Sequence, residues 1–187
     1  WNETREVTNA REHDRAHVAA YETCKALDPT RPVNDASGYV HRRTDVWTVH
    51  NYEADGEKLA GILAKDAAGN PWRNYPEHEV AYGGQPYMID EFGGIKWIPA
   101  GEEAFAENSW GYGEAPRTLE EFYSRLESLV DALLKLEHVR GYCYTQLTDV
   151  EQEENGIYRY DRSEKFDMAR IRAIFERGPA EAPGRRL

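Results

Sequence analysis

The sequence has no long apolar run, few cysteines and a shortage of basic charge, and each shortage closes off a class of function. No stretch approaches the ~20 consecutive apolar residues a helix needs to cross a bilayer, and no basic-then-apolar leader opens the chain at Trp1. A membrane is therefore not an expected partner. Lys and Arg number 23 against 34 Asp and Glu, for a net charge of -11. Nucleic acid, which calls for a basic patch, is not an expected partner either. Cys24 and Cys143 are the only cysteines in 187 residues, too few for a disulfide scaffold. Cys24 falls on a helical stretch and Cys143 on an apolar one, so both read as small buried hydrophobes. None of these absences chooses a compartment. A soluble protein of the cytoplasm or a secreted one fits equally.

Aromatic residues, by contrast, are plentiful, with five Trp and twelve Tyr. Sugar-binding clefts use such rings, and so do ordinary cores. A helix is expected over roughly 11–27, with Val18, Tyr21, Cys24 and Leu27 at three-residue spacing, and the prolines of "DPTRP" end it. Pro32-Val33-Asn34 then reads as a short strand. Val46-Trp47-Thr48-Val49 is β-branched and aromatic, as strands prefer. A short helix over 57–65 and a loop over 66–85 lead to a third strand at 87–91. The irregular stretch 92–117 carries Trp97, Phe105, Trp110 and Tyr112, and loops of that length are usually functional. Helix 119–138 shows capping-box spacing at Thr118 and Glu121 and one apolar face from Phe122 to Leu136. "GYCYTQLTDVE" reads as the last strand. A final helix, about 167–177, stops at Gly178 and Pro179.

Alternation of this kind predicts an α/β fold with parallel strands covered by helices, over a single domain, 1–187. Each strand runs from an apolar body to a polar tip. The tips are Asn2-Glu3, Asn34-Asp35, His50-Asn51-Tyr52, Asp90-Glu91 and Gln146 through Asp149. Parallel strands bring such tips to one end of a sheet, where (β/α)8 barrels keep their chemistry. Two carboxylates from non-adjacent strands, Glu3 and Glu91, are then able to face each other, the minimum apparatus for cleaving a glycosidic bond.

Four segments carry a family resemblance. Trp1-Asn2-Glu3 resembles the end of strand four in glycoside hydrolase family 2, the β-galactosidase and β-glucuronidase group. "IDEFGG" resembles that family's nucleophile segment after strand seven. His50-Asn51-Tyr52 fits the strand-six tip, and "GYCYTQLTDVEQEENGIYRYDRSEKFD" resembles the strand-eight exit. The resemblance implies the C-terminal half of a TIM barrel, from the end of strand four through helix eight. It also implies a retaining β-glycosidase that acts on an oligosaccharide or other β-glycoside through a covalent glycosyl-enzyme, with no cofactor and no metal. Glu3 would be the acid/base and Glu91 the nucleophile, while Asn2 would bond the sugar 2-hydroxyl and Tyr52 the nucleophile. A longer parent is implied too, with the first half of the barrel and β-sandwich domains as partners of this chain. The isolated chain is expected to be weakly active or inactive.

The sequence departs from the family pattern at the strand-eight tip. Thr145, next to Tyr144, stands where members often have a Trp, which makes Trp97 and Trp110 the alternative platforms for a sugar. His50 reads as a lining residue or a bonded core histidine. Asp90 reads as a partner of backbone or of a basic group. Asn34 and Asp35 read as turn formers, and Asp149 or Glu151 as braces of the last tip or ligands of sugar hydroxyls. Two other functions compete. A non-catalytic carbohydrate-binding module needs the aromatics but no carboxylate pair. A zinc hydrolase is suggested by His13 and His17 in "HDRAH", two imidazoles one helical turn apart, although no third ligand has diagnostic spacing.

Overall fold

In a computed structural model, residues 1–4, 8–102 and 108–179 are described. Phe105, expected in the long irregular stretch, lies outside them. The chain divides into two compact units. One comprises Trp1–Asn51, Ala64–Glu91 and His138–Tyr142, and the other Tyr52–Leu63, Phe92–Glu137 and Cys143–Leu187. In chain order the elements are α1 (Ala10–Leu27), β1 (Trp47–Asn51), α2 (Gly56–Leu63), β2 (Tyr87–Gly93), α3 (Leu119–Lys135), β3 (Val139–Thr145) and α4 (Met168–Phe175). The strands form one small parallel sheet in the order β1-β2-β3. A mixed helix–strand chain with parallel strands was the expectation, and at that level it stands.

In the first unit the strands are made of residues that suit a pleated, covered surface. Trp47 and Val49 of β1 and Tyr87 and Ile89 of β2 are wholly buried. Tyr87 keeps its hydroxyl satisfied by donating to the Trp72 carbonyl at 2.8 Å. Helix α1 starts where Asn9 accepts a hydrogen bond from the Glu12 N–H at 3.2 Å, and it ends at Asp28.

The apolar face predicted for α1 is not the buried one. His17 is the buried residue of the helix, Cys24 is exposed, and Leu27 is 83 % exposed. The reason is geometric: a three-residue spacing drifts around a helix of 3.6 residues per turn, so Val18 and Leu27 lie roughly half a turn apart. Cys143 is also exposed, because Tyr144 beside it takes the buried side of β3 and neighbours in a strand point opposite ways. Both cysteines are thus exposed thiols rather than core residues.

Nor does 32–34 form a strand. The Val33 N–H donates to the Asp45 carboxylate at 2.9 Å, and the Val33 carbonyl accepts from the Asp45 N–H at 2.9 Å. A local loop satisfies this backbone, leaving nothing for a ladder. The parallel pairing falls instead between Asn2 and Ser37, as a single bridge.

The second unit is built on α3. Thr118 accepts from the Glu121 N–H at 3.1 Å, and Glu121 reaches back to the Arg117 N–H at 2.8 Å. That is a capping box displaced by one residue. Phe122, Leu126, Leu129, Val130 and Leu133 then fall on one buried face, which packs against α2 and α4. Each such side chain contributes about 1.5–3 kcal/mol through burial. Phe122 also stacks on Phe166 at 4.2 Å, and Phe122→Ala should cost about 3–5 kcal/mol. Strand β3 stops at Thr145, short of the predicted end, because residues 146–158 pair among themselves. The Ile157 N–H donates to the Gln146 carbonyl at 3.0 Å, and the Tyr158 N–H to the Leu147 carbonyl at 2.9 Å. Among the described residues no helix is long and apolar enough to cross a membrane.

Candidate active site

Three of the predicted site residues converge in the first unit. One ligand-type atom each from Glu3, His50 and Glu91 lies within 4.8 Å of the other two. The sheet delivers two of them, since His50 is near the end of β1 and Glu91 near the end of β2. Glu3 arrives beside the Asn2–Ser37 bridge, with a left-handed backbone at φ 48°. A residue with a Cβ rarely adopts that conformation, and such strain concentrates at functional sites.

His50 is the hub, with its side chain 3 % exposed. Its Nδ1 lies 3.2 Å from Glu91 Oε2 and 3.7 Å from Glu3 Oε1, yet makes no hydrogen bond. On the other side of the ring, Nε2 is 3.1 Å from Ser37 Oγ, and Ser37 donates to Asp90 Oδ2 at 2.9 Å. Since Ser37 gives its only hydroxyl proton to a carboxylate, Nε2 must carry a proton and donate to Ser37. The relay therefore runs from imidazole to hydroxyl to carboxylate, and it fixes the ring. Asn74 holds the His50 backbone from both sides, accepting from its N–H and donating to its carbonyl, each at 3.1 Å. Tyr39 meets the ring edge-on at 5.2 Å and stacks in turn on Tyr75 at 5.4 Å. Gly38, at φ +63°, leaves room for the ring, since a Cβ there would sit 1.8 Å from His50 Cδ2.

Asp90, expected to satisfy backbone or a basic group, lies 3.4 Å from His50 Nε2 and also accepts from Ser37. Asp35 is the turn former the sequence suggests. It accepts from the backbone N–H groups of Arg42 and Arg43 and pairs with His41 at 2.7 Å. Burial pushes its carboxyl up, but those hydrogen bonds outweigh the effect and hold it below the usual range. Asn34 donates to Thr48 at 3.2 Å. Asn2 is exposed.

The remaining predicted residues lie in the second unit. Tyr52 stacks face to face on Tyr112 at 3.4 Å, and its hydroxyl reaches Thr145 Oγ1 at 3.4 Å. Trp110, 47 % exposed, meets Tyr112 edge-on at 5.8 Å, giving a three-ring cluster. Trp97 instead points into packing, 6.4 Å from Phe122. Gly93 and Gly94 turn the chain away after Glu91, at φ 83° and 59°, with the rings of Tyr144 and Tyr112 filling the space a Cβ would need. Asp149 braces the last tip through the buried Lys165 at 2.7 Å and the Gly156 N–H at 2.7 Å. Next to it a hollow of about 650 Å³ is lined by Glu102, Glu151, Glu154, Arg159 and Tyr160.

His13 and His17 touch each other at 3.9 Å, but among the described residues they share no third metal ligand. Ser37, Gly38 and Asn74 were not legible as site residues. The polar run "NDASG" was the only sign of the first two, and nothing marked Asn74 within its loop.

No family model and no curated protein matches the sequence. Solved structures do match its fold. A β-D-glucuronidase from Dictyoglomus thermophilum aligns at TM-score 0.61 and 17 % identity, over 96 % of this chain and 32 % of that one. A family 2 β-galacturonidase from Eisenbergiella tayi, bound to galacturonate, aligns at 0.58 and 16 %, over 96 % and 33 %. An FMN-binding β-glucuronidase from Faecalibacterium prausnitzii aligns at 0.58 and 18 %, over 90 % and 27 %. The chain spans about a third of the length of these structures, and nearly all of it has the fold of the matching part of those glycosidases.

Proposed function

We propose that this chain is the C-terminal half of a (β/α)8 catalytic domain in a retaining β-glycoside hydrolase of family 2 type. The observation that carries the reading is the convergence of Glu3 and Glu91, separated by 87 intervening residues, to within 4.8 Å at their nearest oxygens. Retaining enzymes hold their two carboxyls about 5–5.5 Å apart, and inverting ones about 6.5–9.5 Å. Glu91 attacks the anomeric carbon while Glu3 gives its proton to the departing oxygen. Water then enters where the leaving group was and attacks the anomeric carbon, Glu3 taking its proton while the bond to Glu91 breaks and frees that carboxylate. Asn2 and Tyr52 enter by the family resemblance, as ligands of the sugar 2-hydroxyl and of the nucleophile. The relay His50–Ser37–Asp90 positions the imidazole against both carboxylates.

The names of the structural neighbours put glucuronides and galacturonides first among substrates to try. The remaining strands of the barrel belong to the parent protein, and the 187-residue chain alone is expected to hydrolyse glycosides poorly. A 2-fluoro glycoside offered to the parent should leave a covalent adduct on the peptide that contains Glu91. Label on another residue, or inversion at the anomeric carbon, would sink the reading. A second reading, a non-catalytic sugar-binding module, draws on the ring cluster Tyr52–Tyr112–Trp110. Saturable oligosaccharide binding by the parent, with no hydrolysis across a panel of chromogenic glycosides, would favour it.

A further inference from the structure

The arrangement around His50 gathers ligand-type atoms from three residues at one place. The Ser37–Asp90 relay requires the proton on Nε2, so a neutral ring turns the Nδ1 lone pair toward two carboxylate oxygens. Nδ1 is buried and makes no hydrogen bond. One ligand-type atom from each of three residues thus lies within 4.8 Å of the other two, a donor set that a metal ion can bridge. We propose that Glu3, His50 and Glu91 form a transition-metal site of the Zn2+ class, which a glycoside and the ion would occupy in competition.

The donor set suits the ion: one imidazole nitrogen and two carboxylate oxygens are borderline ligands that Zn2+ accepts, with solvent completing the shell. Separations of 3.2 and 3.7 Å from Nδ1 to the two oxygens match the edges of a polyhedron whose bonds are about 2.0–2.2 Å. The second shell is already in place. A metal-bound histidine typically donates its other N–H toward a carboxylate, and here Ser37 passes that bond on to Asp90. Glu3 is half-exposed, which leaves a route for the ion to enter. Ca2+ and Mg2+, which prefer all-oxygen shells, are disfavoured by the imidazole.

The site shares residues with the proposed reaction, but the ion is read by binding and not by turnover, so the two ideas fail separately. Zn2+ alone is titrated into the protein by calorimetry in a non-chelating buffer at neutral pH, and Co2+ is followed by its visible absorption. One saturable site is expected, with a Kd on the order of 1–100 μM. Asp90→Asn should weaken it by about 10–100-fold through the second shell. His50→Ala should abolish it. Glu3→Gln changes a half-exposed side chain and should weaken binding without unfolding the protein, which covers a His50 variant that fails to fold. His13→Ala/His17→Ala should leave it unchanged. Absence of saturation at millimolar Zn2+ would overturn the proposal. Binding that survives Glu3→Gln but disappears with the His13/His17 pair would overturn it equally.

Discussion

Asp149 in the second unit and Glu91 in the first are both acids beside a basic side chain, and their surroundings differ in one respect. Asp149 takes both oxygens to Lys165, at 2.7 and 2.8 Å, and accepts the Gly156 N–H as well. Its side chain is 4 % exposed and that of Lys165 is 0 % exposed. Glu91 is 24 % exposed, and the imidazole beside it serves Glu3 and Asp90 too. Glu3, Asp90 and Glu91 thus all lie within 3.7 Å of one imidazole, and Asp90 also accepts from Ser37. A buried ion pair with every valence filled holds a loop in place, whereas acids sharing one imidazole keep capacity for a ligand.

Removing one charged group from each cluster should separate them most widely. In the parent protein, Glu3→Gln is expected to cut hydrolysis by about 100- to 10,000-fold, the range general acid catalysis supplies. The loss should shrink for glycosides with a good leaving group, since those need little proton assistance. Stability should hardly change, because Glu3 is half-exposed. Equal losses for good and poor leaving groups would remove Glu3 from the acid role. Lys165→Met should do the reverse. It strands Asp149 as an unpaired buried charge and costs about 3–5 kcal/mol in a denaturant melt. A loss below 1 kcal/mol would mean that the two clusters do not differ as described.

The sequence announced the first cluster better than it announced the fold. His50 and Glu91 each end an apolar run, where a polar residue needs a reason, and Glu3 enters through the resemblance of Trp1-Asn2-Glu3; the three side chains lie together in the structure. Their shared imidazole was not legible, nor was the Ser37 relay, because the partners come from segments 13 to 53 residues apart. The Val18-to-Leu27 face of α1 failed for a different reason. Spacing alone cannot say which side of a polar helix will be covered, and here Trp1 covers His17, at 5.6 Å. Helix α3 was read well because its apolar residues repeat at the true helical period and its cap is local.

Glu79 extends the comparison to an acid that is buried with almost no partner. Its side chain is 0 % exposed, neither oxygen is hydrogen-bonded, and Arg73 stands 3.9 Å off. Burial pushes its carboxyl up to about 7, against the pull of His41 and Arg73. A raised carboxyl destabilises the charged folded state. Below about pH 4.5 the penalty is absent, and it grows as pH rises from 4.5 to 7, where it levels at about 3 kcal/mol. His17 works from the other side. Burial, helped by His13, lowers it to about 4, so the stability it permits above pH 6.5 is lost as pH falls toward 4. Stability curves for Glu79→Gln and His17→Gln should each lose one of these slopes. If Glu79→Gln leaves the loss between pH 4.5 and 7 intact, the buried acid is paired after all.

The smallest effect tests whether the first cluster depends on the place reserved for His50. Gly38→Ala puts a Cβ 1.8 Å from Cδ2 and 2.2 Å from Nε2 of the ring, at φ +63°. The ring must move or the backbone must shift, at about 1–3 kcal/mol, and either response stretches the bond to Ser37. Gly69→Ala is the matched control, because its φ is +86° but a Cβ there meets nothing within 4 Å. It should cost only the left-handed backbone, roughly 1–2 kcal/mol. The difference between the two variants isolates the clash with the imidazole. Hydrolysis should fall only for the Gly38 variant, because only that substitution disturbs the base shared by Glu3 and Glu91. If both variants lose the same stability and the same activity, the ring is not held by the space at Gly38. In that case Ser37, bonded to the ring, and Asn74, bonded to the His50 backbone, hold the residue without help.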